Sequence, residues 1–397
     1  MRYARRDGLF TGLFVVATLY TCFVAPLGAQ RALRPLPEAL AAAPSELVDR
    51  LRADLFTYFR FINRAWTARV CEAFADVTNP VIVRLHGDAH VEQFALTKDA
   101  WGLADFDESA RGPSFVDIVR FLGSIEIATR QRGWTLDRDA LWDRFFMGYR
   151  QGLSDPDYRP TEPDIVRRLR KEAPVTRSDY LEWGDRQMQT MDAADLRLVV
   201  AGFESLDRSV HRERGDLAPG YLAVVRAGWL RMGVGSAAVR KILVRVQGPT
   251  SDPEDDELLE AKQVASLDGL QCLEDSATPR ADRVIEGSRQ LGRIRHNILA
   301  VEPSLRLPVA AGRANGLEWW VSSWEPSYRE VHLSDLQSVG DLGDIAFDAG
   351  VQLGANKLVP ARRPALSSAA SLESRLRKAT STLVEELITG WRELREQ

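Results

Sequence analysis

The spacing of apolar residues changes along the chain, and each change marks an element. From Ser45 onward, Val48, Leu51, Leu55, Phe59, Ile62 and Trp66 recur every three or four residues. That spacing lines one face of a long amphipathic helix, with Ser45 as its cap. After Asn79-Pro80 the run Val81 to Leu85 is short, apolar and β-branched, as a buried strand is. A second short strand is predicted around Trp101 to Ala104. From Phe115 to Thr129 helical spacing returns, with Val116, Val119, Phe121, Leu122, Ile125 and Ile127 inward, and further helices are predicted over 135–153 and 185–206. From Tyr221 the period falls toward two. Ile242, Val244 and Val246 alternate with Lys241, Leu243 and Arg245 after a glycine turn, which predicts a hairpin. Residues 248–257 read as a solvated acidic loop, and Trp319 to Trp324 as another strand whose tryptophans pack the core. A terminal amphipathic helix over 371–395 runs through Leu372, Leu376, Leu383, Leu387, Trp391 and Leu394. No repeat of fixed period is present, and the mixture of helices and strands places the chain in the α+β class.

Two N-terminal segments stand apart from this pattern. Arg2, Arg5 and Arg6 precede an apolar stretch from Leu9 to about Pro26, and Leu27-Gly28-Ala29 follows with small residues. Residues 1–29 therefore read as a signal peptide or, if uncleaved, as an N-terminal anchor. Both place the folded part outside the cytoplasm, with any membrane contact made through this segment alone. A start-site artefact would instead leave the chain cytoplasmic. Residues 30–44, with Pro35, Pro37 and Pro44 among alanines, read as a linker.

Length and composition narrow the field of functions. At 397 residues and 45% hydrophobic content the chain can bury a large core. A net charge of −4, becoming −6 without residues 1–29, offers no basic field for nucleic acid. Three separated cysteines, Cys22, Cys71 and Cys272, exclude a thiolate zinc site and leave one conceivable bridge, Cys71 to Cys272.

Candidate chemistry concentrates in Leu85-His86-Gly87-Asp88-Ala89-His90-Val91-Glu92-Gln93-Phe94 and, shortly after it, in Leu103-Ala104-Asp105-Phe106-Asp107-Glu108. Each acid-bearing turn follows a short apolar strand, so its carboxylates are rigidly aimed and still reachable. Two carboxylates from neighbouring strands can divide the work of phosphoryl transfer, one orienting the attacking hydroxyl and the other holding magnesium. Gly112-Pro113 then turns the chain, and Asp117 opens the next helix where it can lock the first loop by hydrogen bonds. The same residues admit a second chemistry. His86-x-Asp88-x-His90 on an extended segment points three ligands to one side and, with Asp105, suits zinc in a metal-dependent hydrolase.

His-Gly-Asp-x-His, then Asp-Phe-Asp-Glu and Gly-Pro-x-x-x-Asp, resembles the bacterial domain-of-unknown-function family 2252, whose pattern is similar to aminoglycoside phosphotransferases and other kinase-like folds. The likeness extends to Met232-Gly233-Val234-Gly235-Ser236, to Lys262 in Leu-Leu-Glu-Ala-Lys-Gln, and to Arg283-Val284-Ile285-Glu286-Gly287, covering roughly residues 50 to 360. The resemblance implies a helix-rich, two-lobed protein-kinase-like fold over 45–397. Its catalytic-loop lobe would span about 45–220 and its glycine-loop and lysine lobe about 221–330, with C-terminal helices over about 331–397. The glycine segment and lysine follow the catalytic loop here, so the order would be circularly permuted. Carried over residue by residue, Asp88 becomes the catalytic base and His86 stabilises its loop. Asp105 is the magnesium ligand, with Asp107 and Gln93 beside it, Gln93 standing where the kinase-like pattern has asparagine. Gly233, Gly235 and Ser236 would cover the nucleotide phosphates, and Lys262 would neutralise them with Glu286 as its partner. The implied cofactors are magnesium and ATP, and the implied partner is a small-molecule or protein hydroxyl acceptor. A catalytically inactive nucleotide-binding module of the same build is the further alternative.

Overall fold

The structure is a computed structural model that describes residues 31–172, 176–213, 220–230, 240–274, 280–301, 318–355 and 366–397. The predicted leader and Gly233, Gly235 and Ser236 lie outside the described residues. Helices α1 (Pro37–Ala42), α2 (Ser45–Ala53), α3 (Leu55–Phe61) and α4 (Asn63–Ala73) come first, followed by four short strands, β1 (Ile82–Leu85), β2 (Phe94–Leu96), β3 (Trp101–Leu103) and β4 (Ala110–Pro113). Helices α5 (Phe115–Arg132), α6 (Arg138–Ser154), α7 (Asp164–Glu172) and α8 (Arg177–Gln187) lead to β5 (Met188–Gln189), α9 (Ala193–Glu213), β6 (Val224–Leu230), β7 (Lys241–Val246) and β8 (Glu257–Gln263). The chain continues through α10 (Asp282–Leu291), β9 (Leu299–Val301), β10 (Trp319–Ser323), β11 (Arg329–Glu330), α11 (Val339–Gly354) and α12 (Leu366–Glu396).

Helix α5 is the axis of the helical body: every residue from Phe115 to Thr129 is buried. Its apolar stripes meet Phe59, Trp66, Leu141, Phe145, Leu383 and Leu387 in one continuous core. Gly133, in the left-handed conformation at φ 75°, ends the helix without the steric cost a side chain would add. Helices α6 and α11 touch backbone to backbone because Gly148 faces the Phe347 carbonyl and Gly350 the Phe145 carbonyl, where a Cβ would overlap. The second core belongs to a six-stranded antiparallel sheet in the order β5-β6-β7-β8-β10-β9. Val199, Phe203 and Leu206 of α9 cover one face through Ile242, Val244, Leu259, Ala261 and Val321. On the other side, Tyr180 and Leu181 of α8 meet Leu243 and Leu258, and Val284 and Ile285 of α10 meet Val264 and Trp320.

The loop after β8 returns to the helical body. Cys272 forms a disulfide with Cys71 of α4, with Cα atoms 5.3 Å apart. Arg64 donates to the Ser266 and Asp268 carbonyls, and the Glu274 amide donates to the Arg111 carbonyl at 2.7 Å. The bridge left open by the sequence is therefore formed.

Several sequence expectations need correction. The long helix from Ser45 is three helices: Asp54 breaks it in an extended conformation and accepts the Thr57 amide at 2.5 Å, capping the next segment. Ser45 is a helical residue and not the cap, since Pro44 precedes it and its hydroxyl turns to Glu46. The helix expected over 185–206 is interrupted, because Met188 and Gln189 pair with Leu230 and Trp229 at the sheet edge. Asp192 then restarts the helix by accepting the Asp195 amide at 2.7 Å. The expected linker contains α1, and α7 and α10 were not anticipated, whereas α11 falls within the C-terminal helices expected over about 331–397. Among the described residues, no helix is long and apolar enough to cross a membrane.

Candidate functional site

Strand β1 pairs with β4 in antiparallel register, Ile82 opposite Pro113 and Leu85 opposite Ala110, and the two acid-bearing turns lie between them in sequence. At the end of β1 the chain turns through Gly87 at φ 90°, where a Cβ would overlap the Glu108 carbonyl, so glycine is required. Asp117 locks this turn by accepting the His86 amide at 2.7 Å and the Gly87 amide at 2.9 Å, as its position at the start of α5 predicts. Burial pushes its carboxyl up to about 7 against those two hydrogen bonds. His86 Nε2 lies 2.8 Å from the Ala104 carbonyl and its Nδ1 accepts the Asp88 amide at 3.3 Å. Both ring nitrogens are thus engaged by backbone, and burial holds the imidazole below its usual range. The left-handed Gly87 also breaks the strand alternation on which the His-x-Asp-x-His reading depended. Among the described residues, no group of three or more His, Cys, Asp or Glu side chains is placed to hold a metal ion.

Asp88 faces an arginine that the sequence reading missed. Arg120, 1% exposed, lies within hydrogen-bond reach of Asp88 Oδ1 through Nε at 2.9 Å and through a terminal nitrogen at 2.8 Å. It also donates to the Phe59 carbonyl at 3.0 Å and stacks 3.6 Å from the Phe59 ring centre. Burial raises the Asp88 carboxyl, but Arg120 and then His90 outweigh it and hold the group at about 2. Asp88 Oδ2 faces His90 Nε2 at 3.6 Å, and His90 is pushed down to about 4 by burial among aromatic rings. Arg120 lies three residues after Asp117 on the same helix, and a charged residue inside an apolar helical run was the available signal.

The second turn sits beside the first. Asp105 takes a left-handed backbone at φ 61°, and Lys262 of β8 reaches both of its neighbouring carboxylates, Asp105 Oδ1 at 3.3 Å and Asp107 Oδ2 at 2.5 Å. Burial opposes ionisation at both acids. At Asp105 the Lys262 charge outweighs it and lowers the group, whereas at Asp107 burial and the Asp105 charge outweigh Lys262 and raise it to about 8. Gln93, 3% exposed, leaves its Oε1 without a hydrogen-bond partner among the described residues. Asp88, Gln93, Asp105, Asp107 and Lys262 all line one cavity of about 1240 Å³, together with Lys241, Glu260, Trp324, Tyr328 and Glu330. The donor set beside Asp105 is oxygen only, which suits magnesium better than zinc.

The structure thus brings most of the anticipated residues together. Glu286 is the exception: its carboxylate, 52% exposed, pairs with Arg84 of β1 and not with Lys262. The correction has a simple cause, since Lys262 already lies between two acids and Arg84 is a buried cation in reach of α10. Lys241, Tyr328 and Glu330 went unrecognised as cavity residues, because only the fold brings their segments to the acid-bearing turns.

Comparison with known proteins supports part of this. Residues 43–176 match a bacterial family described as uncharacterized protein conserved in bacteria, DUF2252. The match spans both acid-bearing turns and Asp117, and ends before the strands that carry Lys241 and Lys262. It is shorter than the span of about 50 to 360 expected from the sequence. No curated protein and no solved structure matches the chain.

Proposed function

We propose that the protein is a magnesium-dependent phosphotransferase of two-lobed, kinase-like build that moves a phosphoryl group from ATP to an unidentified hydroxyl-bearing acceptor. The observation that carries this reading is the meeting of Asp88, Gln93, Asp105, Asp107 and Lys262 in one cavity. The sheet order gives further support. In the chain, the glycine segment falls between β6 and β7, Lys262 lies on β8, and Glu286-bearing α10 follows before β9 and β10. Kinase-like proteins use a glycine-rich loop, a lysine on the third strand and a glutamate-bearing helix in that order to hold nucleotide. Here the catalytic turns come earlier in the chain, which is the permuted order.

Each side chain then has a defined task. Arg120 fixes one oxygen of Asp88, leaving Oδ2 to accept the hydroxyl of the acceptor and orient it. An acid held at about 2 remains ionised and acts as an orienting acceptor more than as a strong base. Asp105 and the unpartnered Gln93 Oε1, with Asp107 adjacent, would hold magnesium, which when bound supplies charge neutralisation for the phosphates. Lys262 is the adjoining cation for the donor.

A nucleotide-binding module without turnover is the second reading, favoured by Lys262 lying against Asp105 and Asp107 in place of Glu286. The hydrolase reading is weakened by His86, whose two ring nitrogens are engaged. Thermal-shift titration with ATP and magnesium, beside Asp105→Ala and a zinc control, tests the proposal. A rise in melting temperature lost in Asp105→Ala is expected. Acceptor-dependent ATP consumption then separates transferase from module. No response to ATP with strong stabilisation by zinc overturns the reading.

A further inference from the structure

We propose that His90 is a positioning residue for Asp88, donating its Nε2–H to Oδ2 so that both carboxylate oxygens are gripped and one direction is left for the incoming hydroxyl. The part that concerns the hydroxyl rests on the phosphotransferase reading, whereas the pairing of the two side chains does not. The loop that carries both residues is held from one face of α5. Asp117 accepts the His86 and Gly87 amides, Arg120 reaches Asp88 Oδ1, and Ser124 Oγ accepts the Val91 amide at 3.2 Å. Spacings of three and four residues put these three side chains on one helical face, so the loop is fixed along its length. His90, fully buried in the middle of that loop, takes no part in those contacts.

The surroundings of the imidazole define what it can do. Its ring meets Phe56 edge-on, with centres 5.7 Å apart, and Phe59 at 6.3 Å. The Phe59 ring also lies 3.6 Å from the Arg120 guanidinium and the Phe59 carbonyl accepts Arg120, so one residue of α3 supports both groups that flank Asp88. Neither ring nitrogen has a hydrogen-bond partner among the described residues, and Nε2 lies 3.6 Å from Asp88 Oδ2. Burial, with the Arg60 and Arg120 charges, outweighs the pull of Asp88 and keeps the imidazole neutral, with a single N–H. Protonation at Nδ1 would turn the Nε2 lone pair toward an anion and bury an N–H without an acceptor. Protonation at Nε2 points the N–H at the carboxylate instead, and this is the tautomer the site stabilises. The separation is about half an ångström beyond a hydrogen bond, and contacts of this kind tighten when a substrate fills the site. Oδ2 has two lone pairs: one takes His90, and the other remains for the hydroxyl.

Ring-nitrogen NMR of the full protein carrying nitrogen-15 histidine tests the pairing in wild type and Asp88→Asn, with His90→Phe assigning the resonance. The expected signature is a neutral His90 protonated at Nε2, whose N–H proton lies downfield and moves in Asp88→Asn. Protonation at Nδ1, or a resonance indifferent to Asp88→Asn, overturns the proposal. Turnover tests the consequence. Glutamine places its amide nitrogen near the position of Nε2, whereas asparagine places its own near Nδ1. ATP consumption with magnesium, with water as the phosphoryl acceptor and ATP saturating, should fall about tenfold to a hundredfold in His90→Asn and His90→Phe. His90→Gln should recover most of that loss, and calorimetric magnesium-ATP affinity should stay within about threefold of wild type throughout. A merely structural histidine predicts that Gln is no better than Phe and that turnover falls only as the melting temperature does. That result overturns the positioning role. A wild type with the Asp88-dependent Nε2–H that consumes no ATP keeps the pairing and refutes the transferase. Turnover beside a His90 protonated at Nδ1 does the opposite.

Discussion

Removing the guanidinium from Arg120 should expose how Asp88 is held. In Arg120→Met the apolar stem is retained against Phe59 while the contacts at 2.9 and 2.8 Å to Asp88 Oδ1 disappear. The displacement of Asp88 from 3.8 to about 2 corresponds to roughly 2.5 kcal/mol of stability, present above pH 4 and lost as pH falls through 2. Deleting one partner also leaves a buried carboxylate uncompensated, so the total loss at pH 7 should be about 3–5 kcal/mol. In the variant, burial acts on Asp88 with less opposition and its pKa should rise above 3.8. Stability at this site should then fall as pH increases, reversing the wild-type slope. Urea unfolding at pH 3 and pH 7 of wild type, Arg120→Met, Asp88→Asn and the double variant measures this. The double variant should recover about 2 kcal/mol of the summed single losses at pH 7. Additive losses, or single losses equal at the two pH values, refute the ion-pair account of Asp88.

Two further substitutions probe the scaffold. Gly87→Ala places a Cβ against the Glu108 carbonyl at a left-handed position, so a loss of about 2 kcal/mol or more is expected in chemical denaturation, with weaker magnesium-ATP stabilisation. Cys71→Ser with Cys272→Ser removes a bridge spanning 201 residues and should cost about 2–5 kcal/mol. Calorimetric melting with and without reductant checks it: reductant should lower the wild-type transition to that of the double variant and leave the variant unmoved.

What the sequence made legible follows local physics. The strand over 81–85, the helix from Phe115 and the terminal helix carry strong periodic patterns, and all three are present. Asp117 could be placed because an acid opening a helix beside a glycine turn has few other uses. The long first helix failed at Asp54, where a side-chain cap competes with continuation, and the 185–206 helix failed where a sheet edge captured Met188 and Gln189. Helix α11 lies within the C-terminal helices expected over about 331–397, and its Gly350 and Gly354 let its backbone approach α6. The Lys262 partner was misjudged for a different reason. A sequence shows which acids exist, but the competition between Arg84 and Lys262 for Glu286 is settled only by distance.

Several residues that break local rules line one cavity or stand next to it, although Asn79 and Leu222 take left-handed backbones elsewhere, and this marks the cavity as the candidate site. Asp105 holds a left-handed backbone that costs a non-glycine residue about 1–2 kcal/mol. Gln93 buries a carbonyl oxygen, and His90 two ring nitrogens, with no hydrogen-bond partner among the described residues. Lys241 and Lys262 oppose each other across a strand pair. Within the helical body around α5, Ser124 and Thr129 bond carbonyls one turn back, and Trp142 donates its indole to the Leu122 carbonyl at 3.0 Å. Strain and unmet polar groups persist where surrounding structure over-determines them, and they are relieved when a ligand supplies what is missing. In the function proposed above, a cation against Gln93 Oε1 and Asp105 would meet one of these unmet groups.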